Sequence, residues 1–287
     1  MISVRTELVA VPVTVTDASG RPVSGLAEEN FRIFEDGRPQ PIAVFHRGEV
    51  PVTLGVIVDR SQSMRAKGAA LVSALSAVLP LGRPDDELFA VVFNDRVSLA
   101  LPDGTLFTRD TAVLEGALAA SRAEGRTALY DGVAEGLHHL QLGRAQKRAL
   151  IVISDGGDNA SALTYARVLD LARRSDAAIY AIGLLGASLV EDEEDAGLLT
   201  RLCRDSGGMA FFPRTAGEVA AMSAQIARDI REQYTLGFTP GARTDEGAFH
   251  KIAVTVTSPD HRRLLVRTRA GYLSGGSPDA KDGKGGR

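Results

Sequence analysis

The sequence predicts an α/β fold, in which a doubly wound, mostly parallel sheet flanked by helices is joined to a small β-sandwich-like domain. Two observations support this prediction. The central part of the chain alternates unbroken apolar strand patterns with helical patterns, which is typical of a parallel sheet covered on both faces. The two ends of the chain contain only short strand patterns, which cannot each bury a face alone, so we expect them to pair with each other.

The N-terminal half of the predicted β domain covers residues 1–50. Valines at every second position from Val9 to Val15 indicate a first strand. Two further strand patterns, at 31–34 and 42–45, lie on either side of Asp36-Gly37, a dipeptide that favours a hairpin turn. We therefore expect these two strands to pair with each other.

The predicted α/β domain covers residues 51–233. Its apolar strand patterns lie at 52–58, 88–93, 149–153, 177–182 and 210–212. Its helical patterns lie at 64–79, 111–121, 129–141, 163–174, 196–205 and 217–233. A weaker pattern at 97–101 follows a turn and is expected to form an antiparallel edge strand.

The C-terminal half of the β domain covers residues 234–273, with strand patterns at 234–238, 252–257 and 264–268. Residues 274–287 are rich in Gly, Ser, Asp and Lys and are expected to be a disordered tail. The economical arrangement is that the two flanks form one small domain into which the α/β domain is inserted.

Composition limits the classes of partner. The net charge of −3 gives no basic field for nucleic acid, so no nucleic-acid binding is expected. No segment was expected to approach the roughly 20 apolar residues of a membrane helix, so no membrane insertion is predicted either. The single cysteine, Cys203, excludes an internal disulfide framework and is interpreted as a small buried hydrophobe.

Polar side chains lie after two of the predicted strands and before one of the predicted helices. The first strand of the α/β domain ends on Asp59, with Ser61 and Ser63 at two-residue intervals after it. Thr127 precedes the helix at 129–141, and Asp155 follows the strand at 149–153. Because ligands of open α/β sheets bind at the carboxyl ends of the strands, we expect these side chains to converge there. Carboxylate and hydroxyl oxygens suit a hard divalent cation, with Mg²⁺ preferred and Mn²⁺ or Ca²⁺ as alternatives.

Asp59-x-Ser61-x-Ser63, followed by Thr127 and Asp155-Gly156, resembles the metal-ion-dependent adhesion site of von Willebrand factor type A (vWA) domains. The resemblance implies a Rossmann-like vWA fold, direct hydroxyl ligation by Ser61, Ser63 and Thr127, and ligation by Asp59 and Asp155 directly or through water. The flanking segments at 13–17 and 234–238 resemble bacterial VWFA-related proteins. Members of that group are often exported to the periplasm or beyond, whereas the N-terminus here shows no signal-peptide pattern, so the compartment stays open.

The predicted function is a metal-dependent, non-enzymatic module that captures an Asp or Glu carboxylate of a protein partner in adhesion or assembly. One alternative is a structural or assembly protein whose β flanks make the interaction while the metal only stabilises the loops. Another is a metal-dependent hydrolase, although phosphatases of the haloacid dehalogenase type place a second aspartate where this chain has Ser61. The acidic run at 191–195 is expected to be a solvated loop.

Overall fold

The structure, a computed structural model, describes residues 8–48, 50–185, 189–241, 247–258 and 263–275. The N-terminal flank forms strands β1 (Val9–Asp17), β2 (Phe31–Glu35), β3 (Arg38–Gln40) and β4 (Val44–His46). The central strands are β5 (Val52–Asp59), β6 (Glu87–Phe93), β7 (Val97–Leu99), β8 (Lys147–Ser154), β9 (Ala178–Gly183) and β10 (Ala210–Phe211). The C-terminal flank forms β11 (Tyr234–Phe238), β12 (Phe249–Val256), β13 (Leu264–Thr268) and β14 (Gly271–Leu273).

The α-helices lie between the central strands. They are α1 (Gly68–Val78), α2 (Thr111–Ala119), α3 (Leu129–Leu140), α4 (Tyr165–Arg174), α5 (Leu189–Ser206) and α6 (Ala216–Glu232). A 3₁₀ segment, Gln62–Lys67, leads into α1. Helix α1 packs against α6, while α3 packs against α4 and α4 against α5.

The central sheet has the strand order β10-β9-β8-β5-β6-β7. Its pairs are parallel except for β6 with β7, which is antiparallel. All eight residues of β5 are buried, as expected for a strand covered by helices on both faces. The predicted fold class and the antiparallel edge strand are therefore confirmed.

The direction of winding reverses between β5 and β8. The chain proceeds from β5 outward through β6 and β7, then returns to β8 on the other side of β5 and continues through β9 and β10. Right-handed crossovers in opposite directions place the two groups of helices on opposite faces of the sheet. A crevice therefore opens above the carboxyl ends of β5 and β8, which is where ligands of such sheets bind.

The two flanks form two four-stranded sheets, β13-β1-β11-β4 and β14-β12-β2-β3. Each sheet takes strands from both ends of the chain. The sheets share one apolar core, in which the rings of Phe31 from β2 and Tyr234 from β11 lie 4.9 Å apart. This core is separate from the core of the α/β region. Whether residues 51–233 fold on their own stays a prediction.

The hairpin prediction for the N-terminal flank was half wrong. Strand β2 turns at Asp36-Gly37, but its partner is β3, which follows the turn at once. Both turn residues have positive φ, +48° and +79°, as a two-residue hairpin turn requires. The strand predicted at 42–45 lies instead at β4 and pairs with β11 in the other sheet. The short strand β14 was not predicted.

Two helix predictions also need correction. The helix predicted at 64–79 begins as a 3₁₀ segment and becomes an α-helix only at Gly68. The acidic run at 191–195 is not a loop, because it lies within α5, which begins at Leu189 rather than at 196. The predicted disordered tail, 274–287, falls outside the described residues from 276 onward.

One helical stretch, Gln62–Leu81, is long and apolar enough by length and composition to cross a membrane, contrary to the expectation from the sequence. In this fold it packs as a core helix: its buried side chains are Met64, Leu71, Ala74, Leu75, Val78 and Leu79. Those residues belong to the same apolar core as the central sheet. One face of this stretch therefore packs against the core, while Val72 on it is exposed.

Candidate cation site

Asp59 ends β5 at the crevice and is completely buried. Its Oδ1 accepts a hydrogen bond of 2.8 Å from the Ser61 backbone N–H, and its Oδ2 accepts one of 2.6 Å from the Ser154 hydroxyl. Burial raises the pKa of Asp59, opposed by the hydrogen bonds from Ser154 and Ser61, and the nearby charge of Asp155 raises it further. The two carboxylates are thus close enough to interact electrostatically.

Ser154 was not predicted to belong to the site. It is the last residue of β8 and lies beside Asp59, because Val58 and Ile153 are paired in the parallel ladder. Its hydroxyl also accepts a hydrogen bond of 3.0 Å from the Gly156 N–H. Ser154 therefore fixes both the buried carboxylate and the start of the loop that carries Asp155. A serine ending a buried strand next to Asp155 was the available sequence signal.

Ser61 and Ser63 present their hydroxyls to each other. The two Oγ atoms lie 2.9 Å apart. Ser61 is buried, with 1% of its surface exposed, whereas Ser63 is exposed. The pair therefore extends from the buried carboxylate of Asp59 to solvent.

Thr127 lies on the loop before α3 and is held by its backbone. Its N–H donates to Asn159 Oδ1 at 2.9 Å, and its carbonyl accepts from the N–H groups of Asn159 and Ala160 at 2.9 and 3.0 Å. Its hydroxyl has no hydrogen-bond partner among the residues that the structure describes, and the oxygen is not among the buried unpaired atoms, so it reaches solvent. The side chain is nearly buried, so a positioned oxygen is left for a ligand.

The loops that carry these residues are connected. The Gln62 N–H, between the two serines, donates to the Gly125 carbonyl at 3.0 Å, and the Glu124 N–H donates to the Arg60 carbonyl at 2.8 Å. The loop that begins at Asp155 is connected to Thr127 through Asn159. All five predicted site residues therefore lie on three neighbouring, mutually hydrogen-bonded loops.

Asp155 is buried at the start of the loop after β8, and it has a partner that the sequence did not indicate. The ammonium of Lys67, the last residue of the 3₁₀ segment, donates to Asp155 Oδ2 at 2.9 Å. The Lys67 side chain is 19% exposed and that of Asp155 is 12% exposed. Nothing in the spacing of the motif indicated this ion pair, because it joins residues 88 positions apart.

The chemistry of this donor set fits a hard cation. Two carboxylates and three hydroxyls are oxygen ligands of the kind that Mg²⁺, Mn²⁺ and Ca²⁺ accept. Within the described ranges, no group of three or more His, Cys, Asp or Glu side chains is arranged to hold a metal. A cation held here would therefore need hydroxyl oxygens in addition to the two carboxylates.

Two aspartates near the site have structural roles. Asp131, in the first turn of α3, accepts hydrogen bonds from the N–H groups of Ala162 and Leu163, so it also stabilises the loop before α4. Asp158 accepts from the N–H of Tyr130 and so caps α3. Each aspartate therefore orders the other's segment, next to Thr127.

No family model matches the chain, and no curated protein is significantly similar to it in sequence. Solved structures share its fold. The von Willebrand factor type A protein from Catenulispora acidiphila is similar over 95% of this chain and 75% of its own, with a TM-score of 0.54 and 12% identity. Proximal thread matrix protein 1 from the mussel byssus is similar over 69% of this chain and 51% of its own, with a TM-score of 0.53 and 17% identity.

A third similar structure is the von Willebrand factor domain of a type V pilus tip protein from Porphyromonas gingivalis. It is similar over 68% of this chain and 99% of its own, with a TM-score of 0.49 and 15% identity. At such identities, the likeness to the first two structures establishes the fold alone. The chain therefore has the fold of a vWA domain.

Proposed function

We propose that this protein binds a divalent cation between Asp59, Ser61, Ser63, Thr127 and Asp155, and uses it to capture a carboxylate of a protein partner in adhesion or assembly. Mg²⁺ is the preferred cation, with Mn²⁺ or Ca²⁺ as alternatives. A cation held mainly by neutral hydroxyls and water keeps positive charge, which favours an Asp or Glu side chain as the remaining ligand.

The observation that carries this proposal is the free hydroxyl of Thr127, held by three backbone hydrogen bonds on a loop joined to the Ser61–Ser63 turn. Thr127 is 5% exposed and its side-chain oxygen reaches solvent, so a cation can approach a hydroxyl that is already held in position. The exposed Ser63 opens the same site to solvent, where a partner's side chain would enter.

We propose binding rather than catalysis because the site offers little acid–base apparatus. Of the described histidines, His139 is bound to the Leu106 carbonyl and His250 to Asp36. His46 lies on β4 and His138 on the last turn of α3, remote from the strand ends that carry Asp59 and Asp155. His261 falls outside the described residues. A hydrolase would need a general base within reach of the cation.

One observation favours the alternative in which the loops are only structural. Both oxygens of Asp59 and one oxygen of Asp155 already have protein partners. These contacts keep the loops in place through the protein's own groups. In that case the β flanks would make the interaction, and removal of a cation ligand would leave partner binding intact.

The variant Thr127→Val tests the cation site that both functions assume. Asp59→Ala is a poor choice, because it would leave the Ser61 N–H and the Ser154 hydroxyl without an acceptor. Thr127→Val keeps the shape and removes only the unpaired hydroxyl. Isothermal titration calorimetry with Mn²⁺ should show a bound cation in the wild type and at least about tenfold weaker binding in Thr127→Val, about 1.4 kcal/mol. Thr105→Val, at an exposed loop position, is the matched control.

Acetate, as a minimal carboxylate, tests whether the bound cation accepts a carboxylate as its remaining ligand. Protein-bound Mn²⁺ should broaden the acetate methyl resonance beyond the effect of Mn²⁺ alone, and Thr127→Val should abolish the difference. No Mn²⁺ binding by the wild type would overturn the cation site. Binding of Mn²⁺ without any effect on acetate would support the structural alternative.

A further inference from the structure

The ion pair between Lys67 and Asp155 places a positive charge inside the proposed cation site. Lys67 Nζ lies 2.9 Å from Asp155 Oδ2, and both side chains are largely buried. Asp59, the other carboxylate of the site, is close enough for the charge of Asp155 to raise its pKa. The ammonium therefore compensates the negative charge that a divalent cation would otherwise neutralise.

We propose that Lys67 is an internal counter-ion of this site, and that a divalent cation must displace it from Asp155 in order to bind. This inference rests on the proposed cation site and adds a property of this chain, namely that cation uptake is an exchange of charges. A cation and an ammonium that share one carboxylate at short range repel each other, so both cannot keep their best contacts with it.

The geometry allows Lys67 to leave. Its ammonium is carried on a flexible four-carbon chain, and part of the side chain already reaches solvent. The residue lies at the junction of the 3₁₀ segment and α1, so its side chain is attached where regular helix begins. Displacement therefore requires only side-chain rotation and no change in the fold.

The two neighbouring arginines contact other groups. Arg60 donates to the Leu118 carbonyl and Arg65 to the Ala123 carbonyl, so both bind backbone of the adjacent loop. Of the three cationic residues between Arg60 and Lys67, Lys67 is the one bound to a carboxylate of the site. Arg65, which is exposed and two residues away, therefore provides a control for the general effect of removing a positive charge.

If the cation displaces Lys67, replacement of Lys67 should lower the stability of the metal-free protein but raise its affinity for the cation. Without metal, the variant should be less stable than the wild type, since Asp155 loses its partner beside Asp59. With metal, the variant should bind the cation more tightly, since nothing has to be displaced. A merely structural role for Lys67 predicts lower stability together with equal or weaker cation binding.

The test uses the full chain and the variants Lys67→Met, Lys67→Arg and Arg65→Met. Mn²⁺ affinity is measured by titration calorimetry, and the melting temperature is measured in EDTA and in excess Mn²⁺. Lys67→Met should bind Mn²⁺ at least about fivefold more tightly than the wild type, which corresponds to an ion pair of about 1 kcal/mol. It should also melt at a lower temperature in EDTA and show a larger stabilisation by Mn²⁺.

Arg65→Met should change Mn²⁺ affinity by no more than about twofold, because its charge is exposed and screened. Lys67→Arg keeps the charge and should remain closer to the wild type than to Lys67→Met. Equal Mn²⁺ affinity of wild type and Lys67→Met would overturn the exchange while leaving the cation site intact. Equal tightening by Arg65→Met would overturn it too. Absence of Mn²⁺ binding in every protein would remove the proposed site itself.

Discussion

Arg267 of β13 forms an ion pair with Asp229 of α6, and so connects the β-sandwich to the last helix of the α/β region. Asp229 is 1% exposed. The Nε of Arg267 also donates to the Gly207 carbonyl. A second hydrogen bond joins the same two parts of the protein, since the Ala270 N–H donates to the Asp205 carbonyl. The sandwich is therefore attached to the α/β region by buried polar contacts with defined geometry.

We expect Arg267→Met to destabilise the protein by about 2–3 kcal/mol, because it leaves a carboxylate buried without a charge partner. Urea unfolding gives this free-energy difference. Arg21→Met is the control, since its pair with Asp17 lies at an exposed turn, where solvent screens the interaction, and should change stability much less. Similar losses in the two variants would show that the sandwich contact is not a specific one.

A single type of substitution should have opposite effects at two buried threonines. Thr14 on β1 is buried and its hydroxyl has no hydrogen-bond partner, so Thr14→Val should stabilise the protein by about 1 kcal/mol. Thr53 on β5 is also buried, but its hydroxyl donates to Glu87 at 2.7 Å. Thr53→Val should therefore cost about 1 kcal/mol. Thermal unfolding of both variants checks the sign, and equal signs would contradict the prediction.

Ser154→Ala should destabilise the metal-free protein by about 2 kcal/mol, because it removes the donor to Asp59 and the acceptor of the Gly156 N–H. It should also weaken Mn²⁺ binding, since the loop that begins at Asp155 loses its anchor. Unfolding in EDTA measures the first effect and titration calorimetry the second. Ser98→Ala, at an exposed position on β7, should stay within about 0.5 kcal/mol of the wild type.

Gly125→Ala should lower both stability and cation affinity. Gly125 has a φ of +76°, and an added Cβ would lie 1.7 Å from Asp95 Oδ1, which accepts from the Arg126 N–H. We expect a loss of about 1–2 kcal/mol, since strain and a lost hydrogen bond combine. Gly116→Ala is the matched control: it lies exposed within α2 with open space around it, and should gain about 0.5–1 kcal/mol.

Acid should weaken the contact between Asp86 and Arg231. Burial alone would raise the pKa of Asp86, but hydrogen bonds from Arg231 and from the N–H groups of Arg83 and Val52 outweigh it and hold the pKa below its usual 3.8. Because the pKa of Asp86 is lower in the folded state, its ionised form stabilises the protein. This stabilisation is complete above the unfolded-state pKa near 3.8 and is lost as the pH falls through the folded-state pKa. The difference in unfolding free energy between wild type and Asp86→Asn should therefore shrink below pH 3.8. A difference independent of pH would contradict this assignment.

The hydrophobic pattern of a short segment was sufficient to predict the strands and helices whose side chains are buried at regular intervals. Strand β5 could be predicted because all its side chains are buried, so an unbroken apolar run identifies it. The hairpin at Asp36-Gly37 was recognised from its turn residues, but the partner strand was misassigned. Strand β3 consists of polar residues and proline, so no apolar pattern marked it, yet it is the partner because a two-residue turn pairs the residues next to it.

Four of the five candidate ligands were visible in the sequence because they follow predicted parallel strands, and Thr127 because it directly precedes a predicted helix. Ser154, Lys67 and the extent of α5 were not. The hydrogen bond of Ser154 to Asp59 depends on the register between β5 and β8, and the ion pair of Lys67 depends on the packing of a 3₁₀ segment beside β8. The position of Ser154 at a strand end is visible in the sequence, but the partner of Ser154 and the partner of Lys67 are not.

The sequence by itself determined the α/β alternation, the strand flanks and the five oxygen-bearing residues of the candidate site, because each follows from periodicity or position within a short stretch of chain. The tertiary structure decided how strands from the two ends pair into a sandwich, which serine supports Asp59 and which lysine neutralises Asp155. Those choices depend on contacts between residues far apart in the chain, whose energies are set only when both segments are packed in place.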